Sequence, residues 1–500
     1  MIKLKLGVFI GLLASSVNLL AQDPAAQTYG KLITESDLKE NLSILASDAF
    51  EGRETGKRGQ KIAAAFISAY FEDIGLSAPV NGSYLQPVEL FVTANPVVSV
   101  KSNGSQLKEF EDFTYYGNGQ TEGLKEMPLL FLGNGSEAEL GSTDIKGKAV
   151  AFFMEANASI RRNPTITKLR EKGAAIVVVI TNKQEDFVQL TGMMRAYSSG
   201  SLSLTNKPDQ SSNNMGVFLV GPASSEKLFA KMPEAKLRKA ITDKKISKVK
   251  PSTLAFSIKQ SYTPLKTSNV LGFLEGTDKK DEIVIITSHY DHIGISKSGE
   301  GDRINNGADD DGSGTVSVMQ IAKAFMQAKK EGKGPRRSIL FMTVTGEEKG
   351  LLGSDYYTQH PIFPLEKTVV DLNIDMVGRR DPQHKESAPY VYVIGSDKLS
   401  AELHTLSEAT NKATTNLIFD YAYNSEGHPD RIYYRSDHWN FAKNNIPIIF
   451  YFDGIHEDYH KPSDEVDKIE FDLLAKRAQT VFYTAWEIAN KETRIVADKK

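Results

Sequence analysis

The chain has 500 residues, of which 40% are hydrophobic and 25% are charged, values typical of a globular protein with room for two or three domains. Its 60 basic and 63 acidic residues leave a formal net charge of −3, so the charge balance gives no indication of nucleic acid or an anionic membrane as a partner. There is no cysteine, which excludes disulfides and means that any metal site must be built from His, Asp and Glu.

The first 21 residues have the pattern of an export signal. Lys3 and Lys5 precede an uncharged, mostly apolar run from Leu6 to Leu20, and Ala21 offers a small residue for cleavage. An uncleaved membrane anchor is the weaker alternative, because the apolar run is short for a span of about 20 residues. We therefore predict export to the periplasm or the cell exterior, with no membrane span after the signal is removed.

The segment that follows contains one clear helix and then changes character. Residues 45–56 form a polar stretch with glycines, and apolar residues at helical spacing predict a helix over Gln60–Gly75. From Asn95 to Tyr262 the pattern becomes one of short β runs separated by Gly, Asn and Lys turns. We predict that this region is a β-rich α/β lobe inserted into a domain formed by residues 22–94 and 263–500.

Within the predicted lobe, two apolar runs stand out as strands. They cover Ala149–Phe153 and Ala175–Ile180, and residues 166–173 between them have the pattern of a short helix with basic residues on its outer face. This strand–helix–strand unit is consistent with a separately packed lobe.

After Ser268 apolar strands alternate with helical patterns. The strand candidates are Glu282–Thr287, Ser338–Thr345, Val369–Ile374, Tyr390–Ile394 and Ile446–Phe452, and a helix is predicted over Thr315–Ala328. Such alternation predicts an α/β fold with a mainly parallel central sheet flanked by helices, whose chemistry lies at the strand ends.

Most of the candidate metal ligands follow directly after these strands. They are His289, the aspartates 309–311 before a helix, Glu347 and Glu348, Asp375, and His460. Taken singly, a histidine after a strand is usually a surface residue and an aspartate before a helix is usually a cap. Together they favour a metal site, because three consecutive aspartates repel one another unless a cation neutralises them. Imidazole and carboxylate donors without thiolate suit zinc.

These segments resemble a known family. The matching motifs are Ser288–Gly294, Gly307–Gly314, Thr345–Ser354, Asn373–Gly378, Arg435–His438 and Asp458–Asp464. In order and spacing they resemble metallopeptidase family 28, the co-catalytic zinc aminopeptidases, over roughly Ser268 to Ile488. Residues 45–56 with the helix that follows resemble the family's N-terminal segment. The turn at Asp144–Lys148, with the strands around it, resembles a protease-associated domain inserted into the peptidase.

The resemblance implies a role for each position and two Zn²⁺ per subunit. Asp310 would bridge both ions, His289 and Asp375 would complete one site, and Glu348 and His460 would complete the other. Glu347 would be the general base, and Asp291 would orient His289. Arg435, Asp437 and His438 are candidates for the substrate side, and a packing role is an open alternative for Asp437 and His438. His292 and His456 have no assigned role.

The leading functional prediction is an exopeptidase that removes residues from peptide or protein N-termini. A carboxypeptidase or dipeptidase on the same site is an alternative, and it needs a cation such as Arg431 or Arg435 to bind the substrate's terminal carboxylate. A glutaminyl cyclase-like enzyme is a further alternative. A non-catalytic binding protein is disfavoured because the complete ligand set and the base are present. The sequence leaves the oligomeric state and the side-chain preference open.

Overall fold

The computed structural model describes residues 23–499 apart from 118, 142, 156–157, 161–162, 198–199, 206–215 and 230–231. The predicted export signal, residues 1–21, lies outside the described residues. Contacts divide the chain into two units, one formed by Met1–Val88 with Thr267–Lys500 and the other by Glu89–Lys266. Among the residues described, no helix is both long enough and apolar enough to cross a bilayer.

The first unit begins with three helices, which contribute to its hydrophobic core, and one strand. The elements are α1 (Pro24–Gly30), α2 (Glu35–Leu45), α3 (Arg58–Ile74) and β1 (Leu85–Thr93), the last of which runs on into the second unit. The side chain of Thr34 caps α2 by accepting a hydrogen bond from the backbone N–H of Asp37. α3 ends at Gly75, whose φ of +92° is a left-handed conformation that favours glycine. The predicted helix Gln60–Gly75 is confirmed by α3.

The second unit contains its own sheet and hydrophobic core. Its strands are β2 (Val97–Ser102), β3 (Ser105–Leu107), β4 (Phe113–Tyr116), β5 (Lys125–Phe131), β6 (Ala149–Phe153), β7 (Ile176–Ile180), β8 (Leu202–Ser203), β9 (Val217–Val220) and β10 (Ser252–Lys259). Its helices are α4 (Glu137–Leu140), α5 (Pro164–Glu171), α6 (Gln184–Tyr197), α7 (Ser225–Leu228) and α8 (Glu234–Thr242).

The sheet of the second unit runs in the order β3-β2-β10-β5-β6-β7-β9-β4. Strands β5, β6, β7 and β9 are parallel, and α5 connects β6 to β7 as the sequence predicts. The short strand β8 pairs instead with the last residues of β1. The structure does not test whether this unit is a protease-associated domain, and that identity stays a prediction.

The chain then returns to the first unit. Its remaining strands are β11 (Tyr262–Leu274), β12 (Lys279–His289), β13 (Arg337–Val344), β14 (Thr368–Ile374), β15 (Tyr390–Ile394), β16 (Ile418–Asp420) and β17 (Ile448–Phe452). The helices are α9 (Gly314–Lys330), α10 (Leu352–Gln359), α11 (Ala401–Ala413), α12 (His438–Ala442) and α13 (Phe471–Asn490). The core between α9, α13 and the sheet includes Phe325, Phe341 and Phe482.

The sheet of the first unit is mixed and places the predicted ligands at one edge. Strands β13, β12, β14 and β17 are parallel neighbours, whereas β11 is antiparallel to β13 and β15 is antiparallel to β17. The α/β fold is therefore confirmed, with antiparallel strands added outside a parallel centre. Because parallel strands end at the same edge, the segments after β12, β13, β14 and β17 lie next to one another.

Candidate metal centre

One group of potential ligands forms where β12 and β14 end. Nε2 of His289 lies 3.3 Å from Oδ1 of Asp310 and 3.5 Å from Oδ1 of Asp375. Two ligands on one tetrahedral zinc, each bonded at about 2.0–2.1 Å, lie roughly 3.3 Å apart. The other ring nitrogen of His289 is 3.0 Å from the main-chain oxygen of Asp291, which leaves Nε2 free for a metal.

A second group forms beside the first. Nε2 of His460 lies 3.0 Å from Oδ2 of Asp310 and 3.2 Å from Oε2 of Glu348. His292 is also close, because its Nδ1 is 2.7 Å from Oε1 of Glu348 and 3.8 Å from Oδ2 of Asp310. The two groups share Asp310, which presents one carboxylate oxygen to each, as a bridging ligand must.

The three consecutive aspartates have three different roles. Asp309 accepts hydrogen bonds from Gly378 N and lies 3.1 Å from His456 Nε2. Asp311 accepts from the backbone N–H groups of His289, Gly314 and Met376. Both outer carboxylates are thus tied to their surroundings, and Asp310 alone of the three lies in the ligand groups.

Glu347 lies at the edge of the first group. Its Oε2 is 3.8 Å from Nε2 of His289, and its side chain is 12% exposed. Burial raises the pKa of Glu347 well above its ordinary value; His289 opposes this shift, and Asp375 and Glu348 add to it. A carboxyl group whose pKa is raised in this way is suited to accept a proton and to give it up again.

The structure places Asp291 against both His289 and Glu347. Its carboxylate is 3.9 Å from Nδ1 of His289, too far for a hydrogen bond, and its main-chain oxygen makes that contact instead. The carboxylate accepts hydrogen bonds from Glu347 N at 3.2 Å and from Thr55 Oγ1 at 2.6 Å. Asp291 therefore orients His289 through its backbone and the predicted base through its side chain.

The histidine and the carboxylates of the second group shift one another's pKa values. Burial lowers the pKa of His460, but its contacts with Asp310 and Glu348 outweigh this effect and raise that pKa to about 10. Burial raises the pKa of Asp310, and the neighbouring histidines overcome it and hold that pKa well below its usual range. A metal ion requires neutral imidazole and ionised carboxylate at these positions, so metal affinity here should depend on pH.

A cavity that is open to solvent adjoins the first group. Its walls combine polar and apolar residues: His289, Asp310, Glu347, Asp375, Met376, Ile432, Arg435, Phe450, Phe452, Ile455 and Tyr459. Arg435 is exposed and lines this cavity, and its role on the substrate side stays a prediction. Arg431 is exposed too, but its guanidinium lies 4.8 Å from the ring of Tyr434 and is outside the lining.

The other two candidates for the substrate side, Asp437 and His438, are completely buried and do not line this cavity. Asp437 accepts a hydrogen bond of 2.5 Å from Ser354 Oγ, and burial raises its pKa to about 7. His438 stacks on Phe450, and its Nε2 donates to the main-chain oxygen of Tyr433 at 2.8 Å. The geometry thus gives both a packing position beneath the cavity, which is the alternative left open by the sequence.

Two residues that contact the site were not predicted from the sequence. His292, which has no role in the predicted set, contacts Glu348. Arg53 is fully buried in the polar stretch before α3 and donates to the main-chain oxygens of Tyr290, Asn306 and Gly307. It thereby joins the two loops that carry His289 and Asp310. The only hint in the sequence was an arginine between two glycine-bearing turns.

Comparisons with known proteins relate the chain to metallopeptidases. Residues 269–485 match the family model described as Peptidase family M28. "Aminopeptidase YwaD" of Bacillus subtilis is 25% identical over 381 residues, which cover 75% of this chain and 69% of that protein. A "Probable zinc metalloprotease" of Pyrenophora tritici-repentis is 28% identical over 263 residues, and this match spans only about half of the relative, 52%.

Among solved structures, an "Aminopeptidase from Aneurinibacillus sp. strain AM-1" is similar with a TM-score of 0.53 and 19% identity, covering 95% of this chain and 98% of that one. At this identity the likeness establishes the fold. It bears out the α/β architecture that the sequence predicts.

Proposed function

Since the chain belongs to peptidase family M28 through residues 269–485, we propose that it is a zinc-dependent aminopeptidase that removes single residues from peptide N-termini. The observation that carries this proposal is the pair of ligand groups that share Asp310 beside Glu347. The Bacillus subtilis relative, which matches 75% of this chain, is named an aminopeptidase, and this name supports the same direction of attack.

The residues present fit two zinc ions. All ligand atoms are imidazole nitrogens or carboxylate oxygens, and within each group the spacing is close to that expected around one tetrahedral zinc. His289 and Asp375 would hold one ion, Glu348 and His460 the other, and Asp310 both. The three carboxylates would offset most of the charge of two divalent ions. Bound zinc supplies Lewis acidity, which polarises the scissile carbonyl and lowers the pKa of an attacking water.

The chain's own groups perform the proton transfers. Glu347 is held by the hydrogen bond from its backbone N–H to Asp291, so its carboxylate stays at the mouth of the first ligand group. There it takes a proton from the attacking water and delivers it to the nitrogen of the leaving amine. One residue can carry out both steps because the attacking oxygen and the leaving nitrogen are bonded to the same carbonyl carbon.

The cavity supports a preference for apolar N-terminal residues. Met376, Ile432, Phe450, Phe452 and Ile455 form its apolar walls. Each methylene buried there contributes about 0.8 kcal/mol. Leucine or phenylalanine at the N-terminus should therefore be cleaved faster than aspartate or glycine.

The second candidate is the carboxypeptidase or dipeptidase predicted as the alternative. One observation favours it: Arg435 lines the cavity and is able to pair with a terminal carboxylate. Against it stands the printed name of the Bacillus subtilis relative, an aminopeptidase. We propose export of the enzyme from the pattern of residues 1–21, with free peptides as its substrates.

Paired model peptides test the direction of attack. One carries leucine with a free amino group and an amidated C-terminus, and the other carries an acetylated N-terminus and a free carboxylate. The aminopeptidase should cleave only the first, and a chelator should abolish that cleavage. Cleavage confined to the acetylated peptide, with loss of activity in Arg435→Gln, would establish the alternative instead.

A further inference from the structure

His292 is a buried histidine that is not one of the predicted metal ligands. It follows β12 by three residues, and its side chain is 0% exposed. Nδ1 faces Oε1 of Glu348 at 2.7 Å, while Oε2 of the same carboxylate faces His460 at 3.2 Å. The two oxygens of Glu348 are thus directed to two different histidines.

The distances separate a ligand contact from a hydrogen bond. Ligand atoms that share one tetrahedral zinc lie roughly 3.3 Å apart, and His460 meets this spacing with Glu348 and with Asp310. The 2.7 Å contact of His292 is shorter and lies in the range of an N–H donor on a carboxylate. His292 is near enough to be grouped with Asp310 and Glu348 as a metal ligand, but its geometry is that of a donor.

The other ring nitrogen fixes the tautomer. Nε2 of His292 is buried, and no group in the described part of the chain hydrogen-bonds to it. A proton placed there would be a buried donor without an acceptor, which costs about 1–3 kcal/mol. The proton therefore belongs on Nδ1, where Glu348 accepts it.

Close packing holds the ring in this orientation. The backbone N–H of His292 donates to Arg53 O at 3.1 Å. Gly307 has a φ of +56°, and a Cβ at that position would lie 2.6 Å from Cδ2 of His292. Only glycine leaves space for the ring there, so the loop that carries Asp310 also supports His292.

We infer that His292 is a positioning residue for the second metal. Its Nδ1–H occupies Oε1 of Glu348, so that the carboxylate binds through Oε2 alone and shares an ion with His460 and Asp310. The inference rests on the proposed two-metal site. Hydrogen-bonded partners of metal ligands typically contribute 10–100-fold to metal affinity, and here that contribution should fall on one ion of the two.

Two variants of the full chain separate a donor from a ligand. His292→Phe fills the space without a donor. His292→Asn places an amide N–H near the former Nδ1. Metal-free protein is titrated with Zn²⁺ against a chromophoric chelator, and the titration is repeated with Co²⁺, whose visible spectrum reports the coordination. His404→Phe is the matched control, because His404 makes a similar Nδ1 contact, with Ser396 Oγ at 3.0 Å, outside the cavity.

Wild type and His404→Phe should bind two equivalents. His292→Phe should bind the first equivalent normally and the second about 10–100-fold more weakly, and His292→Asn should recover most of the loss. Unchanged binding by His292→Phe would overturn the inference, and equal loss in both variants would show a ligand instead. A wild type that binds fewer than two equivalents would contradict the proposed two-metal site and, with it, this role for His292.

Discussion

The two halves of the candidate metal centre use the same kinds of ligand but are supported differently. His289 ends β12 and Asp375 directly follows β14, and their side chains are 1% and 11% exposed. His460 lies in the loop after β17, and its side chain is 36% exposed. A ligand at the end of a buried strand loses little freedom when it binds a metal, whereas a loop ligand must be ordered.

The hydrogen bonds around the halves differ in the same direction. Ser436 Oγ donates to Asp375 at 2.6 Å, and the ring of His289 is held by a main-chain oxygen. In the other half His292 holds Glu348, but among the described residues Nδ1 of His460 has no hydrogen bond, and its ring stacks on Tyr459. Two nearly equal sets of ligand atoms therefore need not bind metal equally well.

The largest expected effect is catalytic and leaves both halves intact. Glu347→Gln removes the proton acceptor without removing a ligand, so kcat should fall by about 10²–10⁴-fold. Metal content, measured by elemental analysis, should stay at the wild-type value. Activity close to that of wild type would assign the proton transfer to another group.

The next effect separates the halves directly. His460→Phe should lower the affinity for one of the two zinc ions by more than the 10–100-fold expected for loss of a supporting hydrogen bond. His289→Phe should lower the affinity for the other ion. Asp310→Ala, which removes the shared ligand, should weaken both. Calorimetric titration of the metal-free variants checks this order. If His460→Phe and His289→Phe weaken the same equivalent, the assignment of separate halves is wrong.

Low pH should lower the free energy of unfolding through His438, which lies beneath the cavity. His438 is buried beside Phe450, and burial lowers its pKa to about 3 from 6.5. The unfolded chain therefore binds this proton more readily, so stability is complete above pH 6.5 and falls as the pH drops toward 3. At about 1.4 kcal/mol per pH unit, His438 alone should cost about 2 kcal/mol between pH 6.5 and 5.

The variant His438→Gln isolates the contribution of His438 to the pH dependence of stability. It keeps a hydrogen-bond donor for Tyr433 O but has no group that binds a proton in this pH range. Its unfolding free energy, from denaturant melts in chelator, should depend less on pH than that of wild type. His404→Gln serves as the control. Parallel pH profiles for wild type and His438→Gln would show that His438 does not produce the acid sensitivity.

The smallest effect is the order in which the metals leave. Because the half with His460 is more exposed and less supported, a chelator should remove its ion first, at a rate about tenfold higher if the affinities differ by about 1.4 kcal/mol. Stopped-flow release of Zn²⁺ into a fluorescent chelator should show two phases. His460→Phe should lack the faster one. Loss of both ions in a single phase would remove the distinction between the halves.

The sequence predicts the parallel centre of the fold well, because buried parallel strands have continuous apolar runs. β6 and β15 have the predicted limits, and β12, β13 and β14 lie within a few residues of them. The antiparallel pairing of β11 with β13 and of β15 with β17 was not predictable in the same way. An apolar run carries no information about the direction of its neighbour. The predicted ligands converge because most of them lie where a parallel strand ends, and Asp310 lies in the segment that joins β12 to α9.

The supporting contacts were harder to predict. His292 and Glu348 are 56 positions apart, and Arg53 reaches residues more than 230 positions away. Such pairs depend on side-chain direction after the chain has folded. For the same reason the sequence did not predict that the carboxylate of Asp291 accepts a hydrogen bond from the backbone N–H of Glu347.

Anomalous scattering at the zinc edge, from crystals of the zinc-loaded chain, shows directly how many ions bind and to which residues. Two peaks are expected. One is bonded to His289, Asp310 and Asp375, and the other to Asp310, Glu348 and His460, with the second peak weaker after brief chelation. A single peak, or a peak bonded to His292, would contradict this assignment.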